Sequence, residues 1–108
     1  MALNLKALLA LRAVMTEGSV TGAARHLHRT QPVVSRVIAQ LEFELGFKLF
    51  RRERQRLVPT VEGLAFYAET ERAIAALAEI EANARNIRDR QPAPLRILAQ
   101  SHIAHGLL

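Results

Sequence analysis

The segment SVTGAARHLHRTQPVVSRVIAQLE, residues 19–42, decides the fold, because it predicts two helices joined by a short turn. Ser19 is a suitable N-cap for a helix of about two turns with an apolar stripe. His28 and Arg29 form the turn, and Thr30 is the N-cap of the next helix. Pro32 then occupies the second helical position, where a missing N–H costs nothing, so Pro32 starts this helix and does not break it.

The second of these helices has two different faces. Apolar residues at helical spacing are predicted to face the core, namely Val34, Val37, Ile38, Leu41 and Leu45. The exposed N-terminal end carries Gln31, Pro32, Ser35 and Arg36. Two short helices joined by such a turn form a helix-turn-helix unit, whose second helix inserts its N-terminal end into the DNA major groove. Gln and Arg side chains suit base edges there, and Arg also suits phosphate.

The flanking segments extend this unit. A helix is predicted over about Leu5 to Glu17, ended by Gly18. After Gly46, the stretch KLFRRERQRLVPT, residues 48–60, reads as a two-stranded hairpin with its tip near Glu53 to Gln55. Thr60 caps a long helix that runs to about Arg90. The predicted fold is therefore mainly α: a winged helix-turn-helix with a two-stranded wing, followed by a long dimerisation helix.

The long helix carries an apolar seam with the alternating 4,3 spacing of a coiled coil. Its predicted dimerisation residues are Phe66, Thr70, Ala73, Leu77, Ile80, Ala84 and Ile87. We expect four parts: a DNA-binding domain at 1–60 (helix-turn-helix about 20–39, wing about 48–59), the linker helix at 60–90, a hinge at 91–94, and a second domain at 95–108. LRILAQ, residues 95–100, predicts a strand without a partner, so the chain is expected to stop just inside that second domain.

Charge is concentrated in the first half of the chain. Residues 1–60 hold ten Lys or Arg against four Glu, a net +6, whereas residues 61–108 hold five Arg against six acids, a net −1. This distribution favours a polyanionic partner for the first half. Four of the cations, Arg51, Arg52, Arg54 and Arg56, lie within six positions of the predicted wing, where they suit phosphates or minor-groove edges.

The order of motifs resembles the LysR-type transcriptional regulators of bacteria. The matching residues are Gly18-Ser19, Ala23-Ala24, Thr30-Gln31-Pro32 with Ser35, Leu41-Glu42, Leu45-Gly46, Leu49-Phe50 with Arg52, and Thr60 with Gly63. The similarity covers about residues 3 to 100. It implies binding of promoter or operator double-stranded DNA by a homodimer, with a homotetramer as a further state of the full protein. It also implies control by a small-molecule effector through a C-terminal domain of which residues 95–108 would be the start.

The predicted DNA-binding set is Ser19, Thr21, Thr30, Gln31, Pro32, Ser35, Arg36, Arg52, Arg54 and Arg56. The resemblance makes Thr30, Gln31, Pro32, Ser35 and Arg36 the groove-reading set, and places an effector contact at Ser101. The wing departs from the family pattern, because Gln55 stands where a central Arg is usual. Which wing residue enters the minor groove therefore stays open.

Other classes of function find little support in the sequence. The four histidines, His26, His28, His102 and His105, do not form a ligand set, the chain has no cysteine, and no catalytic or phosphate-loop motif occurs. We expect no catalytic residue, metal or cofactor, and a cytoplasmic, nucleoid-associated protein without a membrane span. The alternatives are a helical coiled-coil interaction module without a DNA role, and another winged-helix regulator such as a MarR-like protein.

Overall fold

The computed structural model describes residues 3–90. In chain order its elements are α1 (Leu5–Glu17), α2 (Val20–Leu27), α3 (Gln31–Leu45), β1 (Phe50–Glu53), β2 (Arg56–Pro59) and α4 (Val61–Arg90). This order confirms the predicted fold class. The predicted hinge at 91–94, the second domain at 95–108 and the effector contact at Ser101 lie outside the described residues.

Local capping explains where α1 and α2 begin and where α1 and α3 end. The Asn4 Oδ1 accepts a hydrogen bond from the Ala7 N–H, and the Ser19 Oγ accepts one from the Gly22 N–H, each at 2.9 Å. Gly18 and Gly46 end α1 and α3 with φ of 75° and 83°, a left-handed conformation that glycine adopts without steric cost. The predicted bounds of α1, α2 and α3 are therefore confirmed.

The core of the winged helix-turn-helix lies where α1, α2 and α3 meet. Leu11, Val14, Val34 and Leu41 are fully or almost fully buried there. Ala23 is completely buried on α2, and so small a side chain lets the neighbouring helix approach closely. Since α2 has only eight residues, it depends on this packing and would not be stable alone.

The backbone of Leu49 joins α3, the wing and α4. The Glu42 Oε2 accepts hydrogen bonds from the N–H groups of Leu49, at 2.7 Å, and Phe50, at 3.4 Å. The Leu49 carbonyl accepts the Thr60 N–H at 3.0 Å, while the Thr60 hydroxyl donates to the Lys48 carbonyl at 2.5 Å. Each backbone group of Leu49 is thus bonded to a different part of the fold.

The wing is a two-stranded antiparallel hairpin with paired residues Phe50–Pro59, Arg51–Val58, Arg52–Leu57 and Glu53–Arg56. Its tip is the two-residue loop Arg54–Gln55, which confirms the predicted hairpin. Both loop residues have positive φ, 50° and 68°, as the preferred two-residue hairpin turn requires. Neither is glycine, so the tip carries a conformational cost of about 1 kcal/mol or more per residue.

The first part of α4 belongs to the same compact unit as the winged helix-turn-helix, since the chain divides into Met1–Ile74 and Ala75–Leu108. Thr70 is 1% exposed within the single chain, and its hydroxyl donates to the Phe66 carbonyl at 3.1 Å. Thr70 is therefore not free to face a partner, which corrects the predicted seam at this position. The sequence pattern could not distinguish packing on the same chain from packing on a second chain.

Two further contacts fix this part of α4. The rings of Phe66 and Phe47 meet edge to face, with centroids 6.2 Å apart. The Tyr67 hydroxyl donates to the Glu71 Oε2 at 2.6 Å, and the other oxygen of that carboxylate lies 3.9 Å from the Arg12 Nη1 of α1. This hydrogen bond to Glu71, with some burial, raises the pKa of Tyr67 above its ordinary value. A polar link therefore connects α1 with α4.

The second unit contains the remainder of α4 within the described residues. Its large apolar side chains Leu77, Ile80 and Ile87 are exposed in the single chain, the last two at 63% and 61%. They are members of the predicted seam, together with Ala73 and Ala84, which are also exposed. The seam is thus uncovered from Ala73 onward.

Gly63→Ala tests the close approach of α4 to Leu49. A Cβ at position 63 would overlap the Leu49 carbonyl oxygen and lie 2.9 Å from its carbonyl carbon. Because the obstacle is backbone, we expect the free energy of unfolding to fall by about 1–3 kcal/mol despite the better helix propensity of alanine. Urea denaturation measures this, with Ala65→Gly as a control for propensity alone; unchanged stability of Gly63→Ala would contradict the close packing.

Candidate nucleic-acid interface

The N-terminal end of α3 presents a continuous exposed face. Gln31, Pro32, Ser35 and Arg36 are all exposed, while Val34 and Ile38 on the opposite side are buried. Gln31 and Ser35 are four residues apart, as are Pro32 and Arg36, so each pair lies on one side of the helix. The structure therefore brings together four of the five residues predicted to read the groove, on a helix whose opposite side is buried in the core.

Thr30 differs from the predicted N-cap in one respect. Its position is right, because its carbonyl accepts the Val34 N–H at 3.2 Å and α3 begins at Gln31. Its side chain, however, makes no capping hydrogen bond. Thr30 is thus the N-cap by position, as predicted, but without a side-chain hydrogen bond; the fixed φ of Pro32 helps to start the helix. The hydroxyl is exposed beside Gln31 and can bond to an external group.

Two predicted contacts lie at the start of α2. The Ser19 side chain is half-buried, and its oxygen already accepts the Gly22 N–H, so its structural role as a cap is clear. The hydroxyl hydrogen can still be donated outward. Thr21, the second residue of α2, is exposed. These two hydroxyls belong to the helix that crosses the DNA backbone in a helix-turn-helix complex.

The four arginines of the wing differ in whether they form an ion pair. The Arg51 Nε lies 2.7 Å from the Glu53 Oε2, two residues along the same strand. Within residues 3–90, Arg52, Arg54 and Arg56 form no ion pair. The three arginines predicted as DNA contacts are therefore exposed and uncompensated, and Arg54 lies at the hairpin tip.

Arg29 is a candidate that the sequence analysis missed. It lies in the turn between α2 and α3, immediately after His28, which has a left-handed φ of 58°. Its N–H donates to the Ala24 carbonyl at 2.9 Å, while its side chain is exposed and has no ion pair among the described residues. The sequence did contain a signal for this candidate, namely a positively charged residue directly before Thr30 and Gln31.

Within residues 3–90, no group of three or more His, Asp or Glu side chains could hold a metal ion. No helix in that range is both long enough and apolar enough to cross a bilayer.

Residues 5–64 match the family model described as bacterial regulatory helix-turn-helix protein, lysR family. The chain belongs to the LysR family. The transcriptional activator protein LysR of Escherichia coli K12 is 44% identical over 96 residues, which are 89% of this chain and 31% of that protein. The octopine catabolism/uptake operon regulatory protein OccR of Rhizobium meliloti is 36% identical over 106 residues, 98% of this chain and 36% of that protein.

Solved structures of LysR-family proteins share the fold. The BenM DNA-binding domain in complex with benA site 1 DNA superposes with a TM-score of 0.78 at 31% identity, covering 82% of this chain and all of that domain. The CbnR DNA-binding domain in complex with DNA superposes with a TM-score of 0.74 at 27% identity, covering 79% of this chain and 98% of that one. This chain spans about a third of the length of the full relatives.

The two threonines that precede α3 and α4 provide a matched test. Thr60→Ala removes a hydroxyl that accepts the Gly63 N–H at 2.8 Å and donates to the Lys48 carbonyl. We expect the free energy of unfolding to fall by about 1–2 kcal/mol. Thr30→Ala removes no intrachain cap bond, so stability should change by less than about 0.5 kcal/mol. Thermal or urea unfolding of both variants distinguishes them, and an equal loss would contradict the difference in capping.

Proposed function

We propose that this chain is the promoter-binding part of a LysR-type transcriptional regulator, and that it reads double-stranded operator DNA with the N-terminal end of α3. The observation that carries the proposal is the exposed Gln31, Pro32, Ser35 and Arg36 face on a helix whose other side is buried. Such an arrangement is what a recognition helix needs to enter the major groove. The complexes of BenM and CbnR domains with DNA support the assignment by similarity.

The side chains of the proposed interface differ in the DNA groups that they can contact. Gln31 can donate to and accept from one adenine edge, and Arg36 can donate two parallel bonds to guanine. Pro32 offers an apolar surface to a thymine methyl group. Thr30, Ser19 and Thr21 supply hydroxyls for phosphate oxygens, and Arg29 adds a cation at the turn. These backbone contacts set the register, while the base contacts select the sequence.

The wing supplies the second part of the proposed interface. Arg52, Arg54 and Arg56 would neutralise phosphates or enter the minor groove, where arginine is favoured by the negative potential. Arg54 is the candidate for the deepest contact, because it lies at the tip and has no ion pair among residues 3–90. Arg51 already has a carboxylate partner, so we assign it no DNA contact.

We further propose a homodimer that binds two half-sites, formed through the exposed seam residues Ala73, Leu77, Ile80, Ala84 and Ile87 of α4. Burying these side chains against a second copy would remove apolar surface from water. In the full-length protein, a small-molecule effector would act through a C-terminal domain, and the dimer would assemble further into a tetramer. The role is non-enzymatic, and its place is the bacterial cytoplasm at the nucleoid.

Electrophoretic mobility shift with genomic promoter fragments at two salt concentrations tests DNA binding directly. Arg54→Ala should weaken binding to every fragment by a similar factor and lower the slope of log affinity against log salt by about one. Arg51→Ala is the matched control in the same strand, and it should change the slope much less because Arg51 is paired with Glu53. If no fragment shifts at low salt, the coiled-coil alternative without a DNA role is favoured.

Gln31→Ala tests the reading of bases. We expect loss of about 1–3 kcal/mol of binding free energy at the selected site, with relaxed preference at one base pair and little change on non-specific DNA. Gln40→Ala, an exposed glutamine on the same helix beyond the predicted reading face, is the control. Selection of binding sites from random DNA measures both. An unchanged motif with Gln31→Ala, or a changed one with Gln40→Ala, would show that the base-reading face is assigned incorrectly.

A further inference from the structure

A groove between α1 and α3 lies beside the turn of the helix-turn-helix. Its volume is about 420 Å³, which falls within the range of small-molecule sites in proteins. Its lining is mostly apolar, with Leu5, Leu9 and Ala10 from α1 and Val33, Val34 and Val37 from α3. Ala10 and Val34 are buried, whereas Leu5 is 44% exposed, so the groove has a closed floor and an open rim.

Two cationic side chains, Lys6 and Arg29, also line this groove. Both are exposed, and neither takes part in an ion pair within residues 3–90. Arg29 lies at the end where α3 begins, whereas Lys6 also lines a smaller depression with Val37 and Gln40, farther along α3. Among the lining residues that the structure describes there is no carboxylate. The groove therefore combines apolar walls with two uncompensated positive charges.

We propose that this groove binds a small amphipathic carboxylate, with its apolar body along Val33 and Val37 and its carboxylate at Arg29. Apolar walls alone would accept any apolar molecule, whereas an unpaired guanidinium selects an anion and holds a carboxylate through two parallel hydrogen bonds. Lys6 adds positive potential, and its aliphatic stem extends the apolar wall. A free inorganic anion would leave the apolar walls unoccupied, so the ligand must carry both an apolar and an anionic part.

The start of α3 strengthens the preference for an anion at the Arg29 end of the groove. The first N–H groups of a helix have no intrahelical partner and carry the positive end of the helix dipole. Thr30, the N-cap of α3, makes no side-chain hydrogen bond to these groups. At the start of α1, by contrast, the Asn4 Oδ1 already accepts the Ala7 N–H. The helix dipole and the guanidinium therefore favour the carboxylate at Arg29 over Lys6.

A bound carboxylate would oppose DNA binding through Arg29. This consequence rests on the proposed function, in which Arg29 supplies a cation beside the base-reading face, whereas binding of the carboxylate itself does not. A carboxylate paired with Arg29 would neutralise that cation and place a negative charge near the DNA phosphates. The ligand and DNA would therefore each lower the affinity for the other by the same factor.

Titration of the full chain with octanoate, followed by NMR of the methyl groups, tests binding in the absence of DNA. We expect saturable shifts of the Val33, Val34 and Val37 methyl signals, with a dissociation constant of about 1 mM or below. The Leu57 methyl signals of the wing should stay unchanged. Neutral 1-octanol should bind about tenfold more weakly because it lacks the charge. Acetate, which has the charge without the apolar body, should not saturate the site in the same range.

Two variants test the charge and the groove separately. Arg29→Gln should raise the dissociation constant of octanoate about tenfold. Arg25→Gln is the matched control, since Arg25 is an exposed arginine of α2 that does not line the groove, and it should leave the constant unchanged. Val37→Phe should fill the groove and abolish saturation, with circular dichroism to check that the helices form. If Val37→Phe does not fold, the two arginine variants decide the result.

Mobility shift of a promoter fragment with and without octanoate supplies the second measurement. The ionic strength is matched with sodium chloride, because salt alone weakens DNA binding. Saturating octanoate should lower the DNA affinity about fivefold, and Arg29→Gln should remove this effect.

The outcomes separate this inference from the proposed function. Absence of saturation, equal binding of 1-octanol, or an equal loss with Arg25→Gln overturns the carboxylate site and leaves the regulator assignment intact. Octanoate binding as expected in a chain that shifts no promoter fragment overturns the proposed function and leaves the site. Unaltered DNA affinity at saturating octanoate overturns the opposition between the ligand and DNA.

Discussion

The winged helix-turn-helix depends on the backbone of one buried residue, Leu49. Its N–H is bonded to the Glu42 carboxylate, which extends from α3, and its carbonyl is bonded to the Thr60 N–H, which begins α4. Gly63 lies against the same carbonyl, so a side chain has no room there. Buried backbone groups must be paired, and here each pairing connects a different element. These bonds fix the orientation of the wing relative to the end of α3 and the start of α4.

This junction gives physical roles to several residues of the family motif. Glu42, Thr60 and Gly63 are motif residues, yet they serve the scaffold and none belongs to the proposed DNA contact set. Gln31, Pro32 and Ser35 are motif residues of the opposite kind, because they are exposed and make no contribution to the buried core. The family pattern thus combines a rigid frame with the surface that the frame presents.

The helices and the wing could be predicted from the sequence because their ends are marked by local chemistry. Ser19, Gly18, Gly46 and Pro59 act within a few residues of their own positions, and the structure places each element accordingly. Contacts between residues that are separated in the sequence could not be predicted from such local signals. The anchoring of Glu42 spans seven residues, and the burial of Thr70 follows from tertiary packing. Thr30 shows a subtler limit, since a residue type suited to capping can leave its hydroxyl free.

The two parts of α4 differ in whether their side chains are buried by their own chain. This difference bears on how a regulator of this kind assembles. In the first unit, Gly63 and Thr70 are buried and Phe66 is half-buried, so that segment is stabilised by its own chain. In the second unit, Leu77, Ile80 and Ile87 are exposed, and an isolated helix of such length gains little stability from propensity alone. A second copy would stabilise that segment by covering its apolar seam. The proposed dimer would then order the linker helix and join two DNA-reading surfaces in one step, which ties recognition of two half-sites to the folding of α4.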